Sequence, residues 1–525
     1  MLQIILVAVV VGALFYYYSF KRGNYWKERG VKQTNQSWLP GDNWGVILQR
    51  QAFTDMVVKA YNTAPDARYI GIYQFTFPTL LIRDVNLIKQ IGVKDFDYFM
   101  DHLPFLPEKA DPLWSKNLFA LTGQRWKDMR PILSPSFTSS KMKSMFLLMS
   151  ECGENLVKFF MGNDKNTIEI EMKDTFTRFT NDVIATTAFG LQVDSLRNPE
   201  NEFYLMGKEA TDFSGFWKGM KFFGYSTLPK IFELLQVRIF NNHVRKFFTE
   251  LIGETIKIRE EKGIIRPDLI HLLMEARKGI HQKEEKVVDT GFAVVQESNS
   301  EKGVANEMTD LDITAQALIF FFAGFDTVSS TMCFLAYELA CNPDIQTRVR
   351  EEIHKTLEQC GGKLTYEAVL KMKYMDMVLS ESLRKWPSAA AVDRICTKPY
   401  TIEPATSDEK PIHFDKGMVV WFPIFAIHRD PKYYPDPERF DPERFSDENK
   451  ANINPYAYLP FGTGPRNCIG SRFALLEIKI LFCHLLVNFE IVPGPKTEIP
   501  LKISKKQFSL NAENGFWVNL KKIKN

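Results

Sequence analysis

Residues 461–470 read Phe-Gly-Thr-Gly-Pro-Arg-Asn-Cys-Ile-Gly and place one cysteine, Cys468, at the end of a glycine-rich loop. Beyond it Phe473, Ala474, Leu476, Ile480, Leu481, His484 and Leu485 recur at helical spacing, so the loop is expected to run straight into a helix from Ser471. The unpaired amides of a first helical turn favour a thiolate nearby, and the thiolate is the form that ligates a metal. Gly464 and Gly470 would let a flat object approach the backbone, Phe461 offers an aromatic wall, and Arg466 offers a cation to an anionic group. A planar, anionic, metal-bearing ligand meets all of these conditions, and haem is the candidate. Standing alone, Cys468 would read as a small buried hydrophobe under a loop.

Three other groupings carry chemistry. Trp126 and Arg130 lie one helical turn apart and share a face, while Arg125 and Lys127 point elsewhere; by itself the pair reads as a surface helix with one buried indole. Ala323, Gly324, Asp326 and Thr327 put a small-residue gap beside an acid and an alcohol in the middle of a long apolar helix. A threonine there ordinarily donates to the carbonyl four residues back, here Ala323. Glu381 and Arg384 pair opposite charges at i, i+3, an arrangement of little weight on a solvated face.

Phe461, Gly464, Arg466, Cys468 and Gly470 match every fixed position of F-x-x-G-x-R-x-C-x-G, and on that motif the chain resembles the cytochrome P-450 family, the haem-thiolate monooxygenases. The flanks of the loop and residues 435–450 look closest to insect microsomal members. The resemblance implies haem b with Cys468 as axial ligand and only metal ligand, and Trp126, Arg130 and Arg394 as donors to the haem carboxylates. It makes Thr327 the hydrogen-bond donor to dioxygen and Asp326 the proton relay, through the family's A-G-x-[DE]-T. It pairs Glu381 and Arg384 with an arginine of a later P-x-R-F segment; of Arg439 and Arg444, the second fits the family spacing better. By family position Phe105, Leu106, Leu113, Trp114, Phe119, Phe213, Trp217 and residues 389–392 line a substrate pocket, although any of them could equally be core. The implied activity is insertion of one oxygen atom of O₂ into a lipophilic small molecule, a xenobiotic such as a plant toxin or insecticide. Electrons would come from NADPH-cytochrome P-450 reductase, with cytochrome b5 as an optional second donor. A haem-thiolate isomerase or dehydratase would share Cys468 but generally lacks the acid-alcohol pair, and a haem sensor or carrier would need neither Thr327 nor a reductase.

These residues need a scaffold. The chain has 525 residues, 45% hydrophobic and 25% charged, enough for a large packed domain, and its 42 phenylalanines suggest a big apolar interior. A net charge of +3 leaves no nucleic-acid footprint. Seven scattered cysteines without a C-x-x-C pair argue against a disulfide framework, a zinc site or c-type haem attachment. Strands are expected over 68–73 and 79–82, a cluster of short β segments over 395–418 and again near 508–520, and helices over most of the rest, including one over 309–340 opened by a capping box at Thr309 and Asp312 and stopped at Asn342 and Pro343. The polar stretch 278–306 reads as an exposed loop with little functional content. The fold expectation is therefore mainly α with a small β-rich subregion, the cytochrome P-450 fold preceded by one N-terminal transmembrane helix.

Residues 2–20 form an uncharged apolar run that, as a helix, would cover about 28 Å of bilayer. Lys21, Arg22, Lys27 and Arg29 follow it, which by the positive-inside rule leaves the remainder cytoplasmic. The organisation expected is a membrane anchor over 1–20, a linker over 21–43 and a catalytic domain over 44–525, held at the endoplasmic reticulum membrane. Deleting residues 1–20 is expected to leave a folded domain that still incorporates haem, with residual membrane association; absorbance of the purified truncated protein checks this, and complete loss of haem would contradict the boundary.

Overall fold

The structure, a computed structural model, describes residues 24–523 apart from 35–40, 75–76, 105–110, 213–220, 222–223, 226–228, 236, 239–240, 267, 279–290, 295–307 and 508. The expected anchor over 1–20, and Phe105, Leu106, Phe213 and Trp217 of the expected pocket, lie outside the described residues.

The helical body contains α1 Gly123–Leu133, α2 Ser139–Met161, α3 Met172–Ile184, α4 Asn242–Lys262, α5 Asp310–Cys341, α6 Pro343–Gln359, α7 Lys373–Lys385 and α8 Ser471–Asn488. The strands are β1 Tyr69–Gln74, β2 Phe77–Ile82, β3 Thr167–Glu171, β4 Val392–Ile395, β5 Tyr400–Ile402, β6 Ile412–Phe414, β7 Val419–Phe422, β8 Phe489–Val492 and β9 Trp517–Lys522. They make one four-stranded sheet of order β1-β2-β7-β4, one three-stranded sheet of order β3-β9-β8, and the β5-β6 hairpin. The mainly helical expectation with a small β region holds. The cluster of short β segments expected over 395–418 is present as the end of β4 and the β5-β6 pair, whereas the strand expected near 508–520 begins only at Trp517, after a turn in which Gly515 takes a φ of +83°.

Helix α5 starts as its sequence dictates. The Thr309 hydroxyl accepts from the Asp312 amide at 3.2 Å and the Asp312 carboxylate accepts from the Thr309 amide at 2.9 Å, so two amides that the helix cannot satisfy are paired. Pro343 opens α6, since it cannot continue α5. Among the described residues α5 is the one helix long and apolar enough to cross a membrane, and it is an interior helix. Between Ile313 and Ala340 only Ile319, Phe320, Ala323, Gly324, Asp326 and Thr327 escape burial. Two apolar clusters flank it: one joins the four-stranded sheet with α2, α6, α7 and α8, and the other surrounds α1, α4 and the first half of α5. Phe320 and Ile469 pack against both.

Two stretches expected to be loose are docked. Within 21–43, Trp26 is fully buried, its indole N–H donates to the Ile72 carbonyl at 3.1 Å, and Gln33 and Gly41 bridge to Gly71 and Gln74 of β1. Gly71 is required there, because a Cβ would stand 2.3 Å from the Trp26 ring. The expectation of an exposed loop over 278–306 fails for residues 291–294: Ala293 is buried, and Phe292 lies against Phe445 and Tyr458 with ring centroids 5.1 and 5.3 Å away. A Gly-Phe-Ala-Val island between polar flanks can bury itself without its neighbours.

The segment between β7 and α8 is organised by buried charge. Arg384 meets Glu381 at 2.7 Å, both side chains fully buried, and Arg444 approaches Glu381 at 3.6 Å, as expected. Removing one member of such a set leaves an uncompensated buried charge, at a cost of about 3–5 kcal/mol. Arg384 also donates to the His428 carbonyl at 2.8 Å. The His428 ring bridges in turn: Nδ1 lies 3.0 Å from the Arg384 carbonyl and Nε2 accepts from the Leu459 amide at 2.8 Å, which fixes the neutral tautomer. Burial, with the Arg384 charge, pushes the imidazole down to about 3. The unfolded chain therefore binds a proton below about 6.5 that the folded protein refuses until about 3, so stability falls as pH drops through that window, by at most about 1.4 kcal/mol per unit, and is flat above it. His428→Gln is expected to lose this slope, checked by comparing urea midpoints of parent and variant between pH 7 and 5; parallel pH curves would contradict it.

Candidate functional site

The cysteine loop follows Leu459 and Pro460 and enters α8 at Ser471. Its turn is closed by two backbone bonds, Gly462 N–H to the Leu459 carbonyl at 3.1 Å and Cys468 N–H to the Phe461 carbonyl at 2.9 Å. Phe461 is half-buried beside it. Gly464, at φ +71°, is a glycine for a reason other than the one its sequence suggested: a Cβ would stand 1.9 Å from the carbonyl oxygen of Gly92. The close approach is thus to another strand of protein, and Gly92 is equally constrained, with a Cβ 2.9 Å from Thr463 Cγ2. At Gly470 the nearest atoms, of the Phe137 ring, are 3.9 Å from a Cβ, an ordinary contact.

The Cys468 sulfur is exposed although protein encloses it at longer range, which is the situation of a group lining an internal space. Burial pushes its thiol up, opposed by the Gly470 N–H bond and the Arg130 charge. The helix-terminal lowering expected from sequence is present as that Gly470 bond and is outweighed by desolvation of the charged thiolate. Ligation by a metal removes the conflict, since a coordinating thiol is deprotonated outright. Phe137 stacks on Phe320 at 5.4 Å and meets Phe473 of α8 at 6.4 Å, joining the unburied stripe of α5 to the helix that follows Cys468. Ala323 and Thr327, exposed on an otherwise interior helix, therefore open between the same two apolar clusters as Cys468 and Ile469.

The four cationic or indole residues converge on this loop. Arg130 donates to the Asn467 carbonyl at 2.9 Å and to its side-chain oxygen at 2.8 Å. Arg394, on β4, donates to the Thr463 carbonyl at 3.2 Å, and its buried Nε has no partner. The Trp126 indole N–H is buried and unpartnered as well, under the Arg466 guanidinium at 4.4 Å. Arg466 differs from expectation: it donates to the carbonyls of Met100, Leu118, Phe119 and Leu121 and approaches Asp101 at 3.5 Å, so it ties the loop to 100–121. Burial pulls Arg466 down to about 9, with the Arg394 charge adding to it, and pulls Arg394 down to about 10. Among the described residues Arg394 and Arg466 are thus balanced only by Asp101 and Asp393, Arg130 adds a third guanidinium at Asn467, and the Trp126 and Arg394 donors wait unpaired, which fits an anionic ligand carrying two carboxylates. With an open cysteine beneath, the residues present fit haem.

Sequence reasoning missed two partners. His102 stacks on Phe119 at 4.8 Å and lies 3.0 Å from Asp393, beside Arg394. Lys173, at the start of α3, holds the Asp326 carboxylate at 2.8 Å and also reaches the hydroxyls of Ser329 and Ser330 at 2.9 and 2.7 Å. No local pattern marks either, because the partners are 291 and 153 positions apart in the chain. Thr327 donates to the Ala323 carbonyl at 2.5 Å, as a mid-helix threonine does. Of the expected pocket residues, Leu113 is core, Trp114 is half-buried against Phe322 at 6.4 Å, and Phe119 is exposed. Residues 389–392 are half-buried except Ala390, and Ser388 before them touches Thr331 of α5 at 3.1 Å.

A family model described as cytochrome P-450 matches residues 40–518. Cytochrome P-450 9e2 of Blattella germanica is 45% identical, over 99% of this chain and 97% of its own. Probable cytochrome P-450 9f2 of Drosophila melanogaster is 42% identical over 97% of each chain, and cytochrome P-450 6j1 of Blattella germanica is 36% identical over 99% of this chain and 98% of its own.

Cys468→Ser replaces the sulfur by a far weaker donor. The variant is expected to lose the strongly red-shifted Soret band of the ferrous–CO complex, which absorbance after dithionite and CO checks; retention of that band would remove Cys468 as the axial ligand.

Proposed function

The chain belongs to the cytochrome P-450 family, is a haem-thiolate monooxygenase with cysteine as axial ligand, and on that premise we propose that its substrate is a lipophilic xenobiotic such as a plant toxin or insecticide. Electrons come from NADPH-cytochrome P-450 reductase, with cytochrome b5 as an optional donor. The enzyme works at the endoplasmic reticulum membrane, anchored by residues 1–20, with domain 44–525 on the cytoplasmic side. The apolar run over 2–20 supports the anchor, and exposed Trp44, Leu48, Phe77, Leu234 and Leu235 supply apolar surface for residual contact with lipid. Trp114, Phe119, Phe320 and Phe322 support a lipophilic substrate.

Bound through the Cys468 sulfur, haem supplies O₂ activation and oxygen-atom transfer, and the electron-rich thiolate favours O–O cleavage. Trp126 and Arg394 would hold the haem carboxylates through the donors that have no partner within the protein, and Arg130 would add charge. Arg466 positions the loop from below through its carbonyl bonds, with Phe461, Gly464 and Gly470 setting the loop's shape.

The observation that carries the distal assignment is the stripe of unburied residues on α5. Thr327 lies on it, and with its proton donated to the Ala323 carbonyl its oxygen can accept from the open side, or donate there once the hydroxyl turns away from Ala323. Asp326 has about a third of its side chain exposed and is oriented by Lys173, so it can take a proton from solvent and pass it toward the Thr327 side. The proton therefore moves through this chain's own hydroxyl and carboxylate groups, and the apolar walls keep other water away.

Thr327→Ala and Asp326→Asn are each expected to cost on the order of 10²-fold in productive turnover while haem content stays near the parent's. Part of the NADPH is then diverted to hydrogen peroxide. Product, NADPH and peroxide measured together decide this; an unchanged coupling ratio in both variants would reduce Thr327 to a bond with Ala323 and Asp326 to a partner of Lys173.

A further inference from the structure

Residues 291–294 sit far in sequence from everything they touch. The Phe292 amide donates to Asp376 Oδ2 at 3.0 Å, and the other oxygen of that carboxylate is held by buried Lys479 of α8 at 2.9 Å. Gly291 stands at φ +143° with Asp376 Oδ1 2.4 Å from where a Cβ would be, so glycine is required by both backbone and space. The turn closes with Val294 N–H to the Gly291 carbonyl at 3.2 Å. Asp376 on α7 thereby joins α8 to this short segment, and Phe292 is delivered between Phe445 and Tyr458, whose own rings are 5.0 Å apart.

From Tyr458 the contacts lead one way. Its hydroxyl donates to the Ser380 carbonyl at 2.9 Å and its ring stacks on His428 at 5.5 Å, 17° from parallel. His428 accepts the Leu459 amide, and the Leu459 carbonyl accepts the Gly462 amide at the first turn of the cysteine loop. Tyr458 and Leu459 precede that loop by one residue, Pro460, and the loop itself holds them through the single Gly462 amide. We propose that residues 291–294 are a built-in wedge that positions the cysteine loop, with Phe292 as a positioning residue acting through Tyr458 and His428 on the Cys468 ligand. The wedge rests on the haem-thiolate reading and adds to it a control of thiolate ligation through the residues that lead into the loop.

The test uses the full-length, haem-loaded protein and three variants. Phe292→Ala removes the ring, Gly291→Val displaces the segment while keeping Phe292, and Phe292→Tyr keeps a ring in place. A fourth, Phe248→Leu, lowers stability from the other apolar cluster, where Phe248 is fully buried and does not touch the loop. The readouts are the rate at which the ferrous–CO complex loses its red-shifted Soret band at fixed temperature, and hydrogen exchange at the amides of Leu459, Gly462 and Cys468. Phe292→Ala and Gly291→Val are expected to accelerate loss of the band by about tenfold and to speed exchange at those amides, with Phe292→Tyr near the parent and Phe248→Leu changing only the melting temperature. Parent-like band loss and exchange in both Phe292→Ala and Gly291→Val would overturn the wedge, as would equal acceleration by Phe248→Leu. A parent lacking the red-shifted band would overturn the haem-thiolate reading and the wedge with it.

Discussion

The cysteine loop, with three glycines and a proline among ten residues, takes its shape from buried polar groups of its neighbours and from its own Arg466. Arg130 takes Asn467, Arg394 takes Thr463, Arg466 reaches back to four carbonyls of 100–121, and His428 takes Leu459. Each is a bond in a low-dielectric interior, where a satisfied donor counts for more than in water and a stranded one is costly. The neighbours that shape the loop are also the cations that must be neutralised. Loop order and anion binding are therefore coupled: the same guanidinium groups that hold the backbone stay strained electrostatically until carboxylates arrive.

Much of this was legible from local pattern. The loop and its helix, the capping box that opens α5, and the Glu381–Arg384 pair follow from spacings of three or four residues, and the structure places them within a residue of expectation. The choice of Arg444 over Arg439 also held, since Arg444 faces Glu381 while Arg439 lends Arg384 only its carbonyl.

What was not legible lies at long range. Lys173 is an ordinary charged residue at a helix start until α3 is laid against α5. His428 gives no periodic signal, and its two ring bonds go to backbone atoms that any residue would supply. Local reasoning also missed what these loop residues meet within the protein: Gly464 makes room for Gly92, and Arg466 donates to carbonyls of 100–121. The polar composition around 291–294 outweighed four apolar residues whose slot is built by α7, α8 and the segment before the cysteine.

The docking of Trp26 on Gly71 sets a length. Five residues, 21–25, separate the proposed anchor from an indole locked under β1, and fully extended they and their flanking bonds span about 20 Å. A tether so short does not let the domain swing freely beneath a bilayer. On the proposed anchoring it would confine the β1 edge of the sheet to the membrane's vicinity and limit the angles at which the enzyme can sit, so that an apolar compound dissolved in lipid would meet a domain whose tilt one buried tryptophan helps to set.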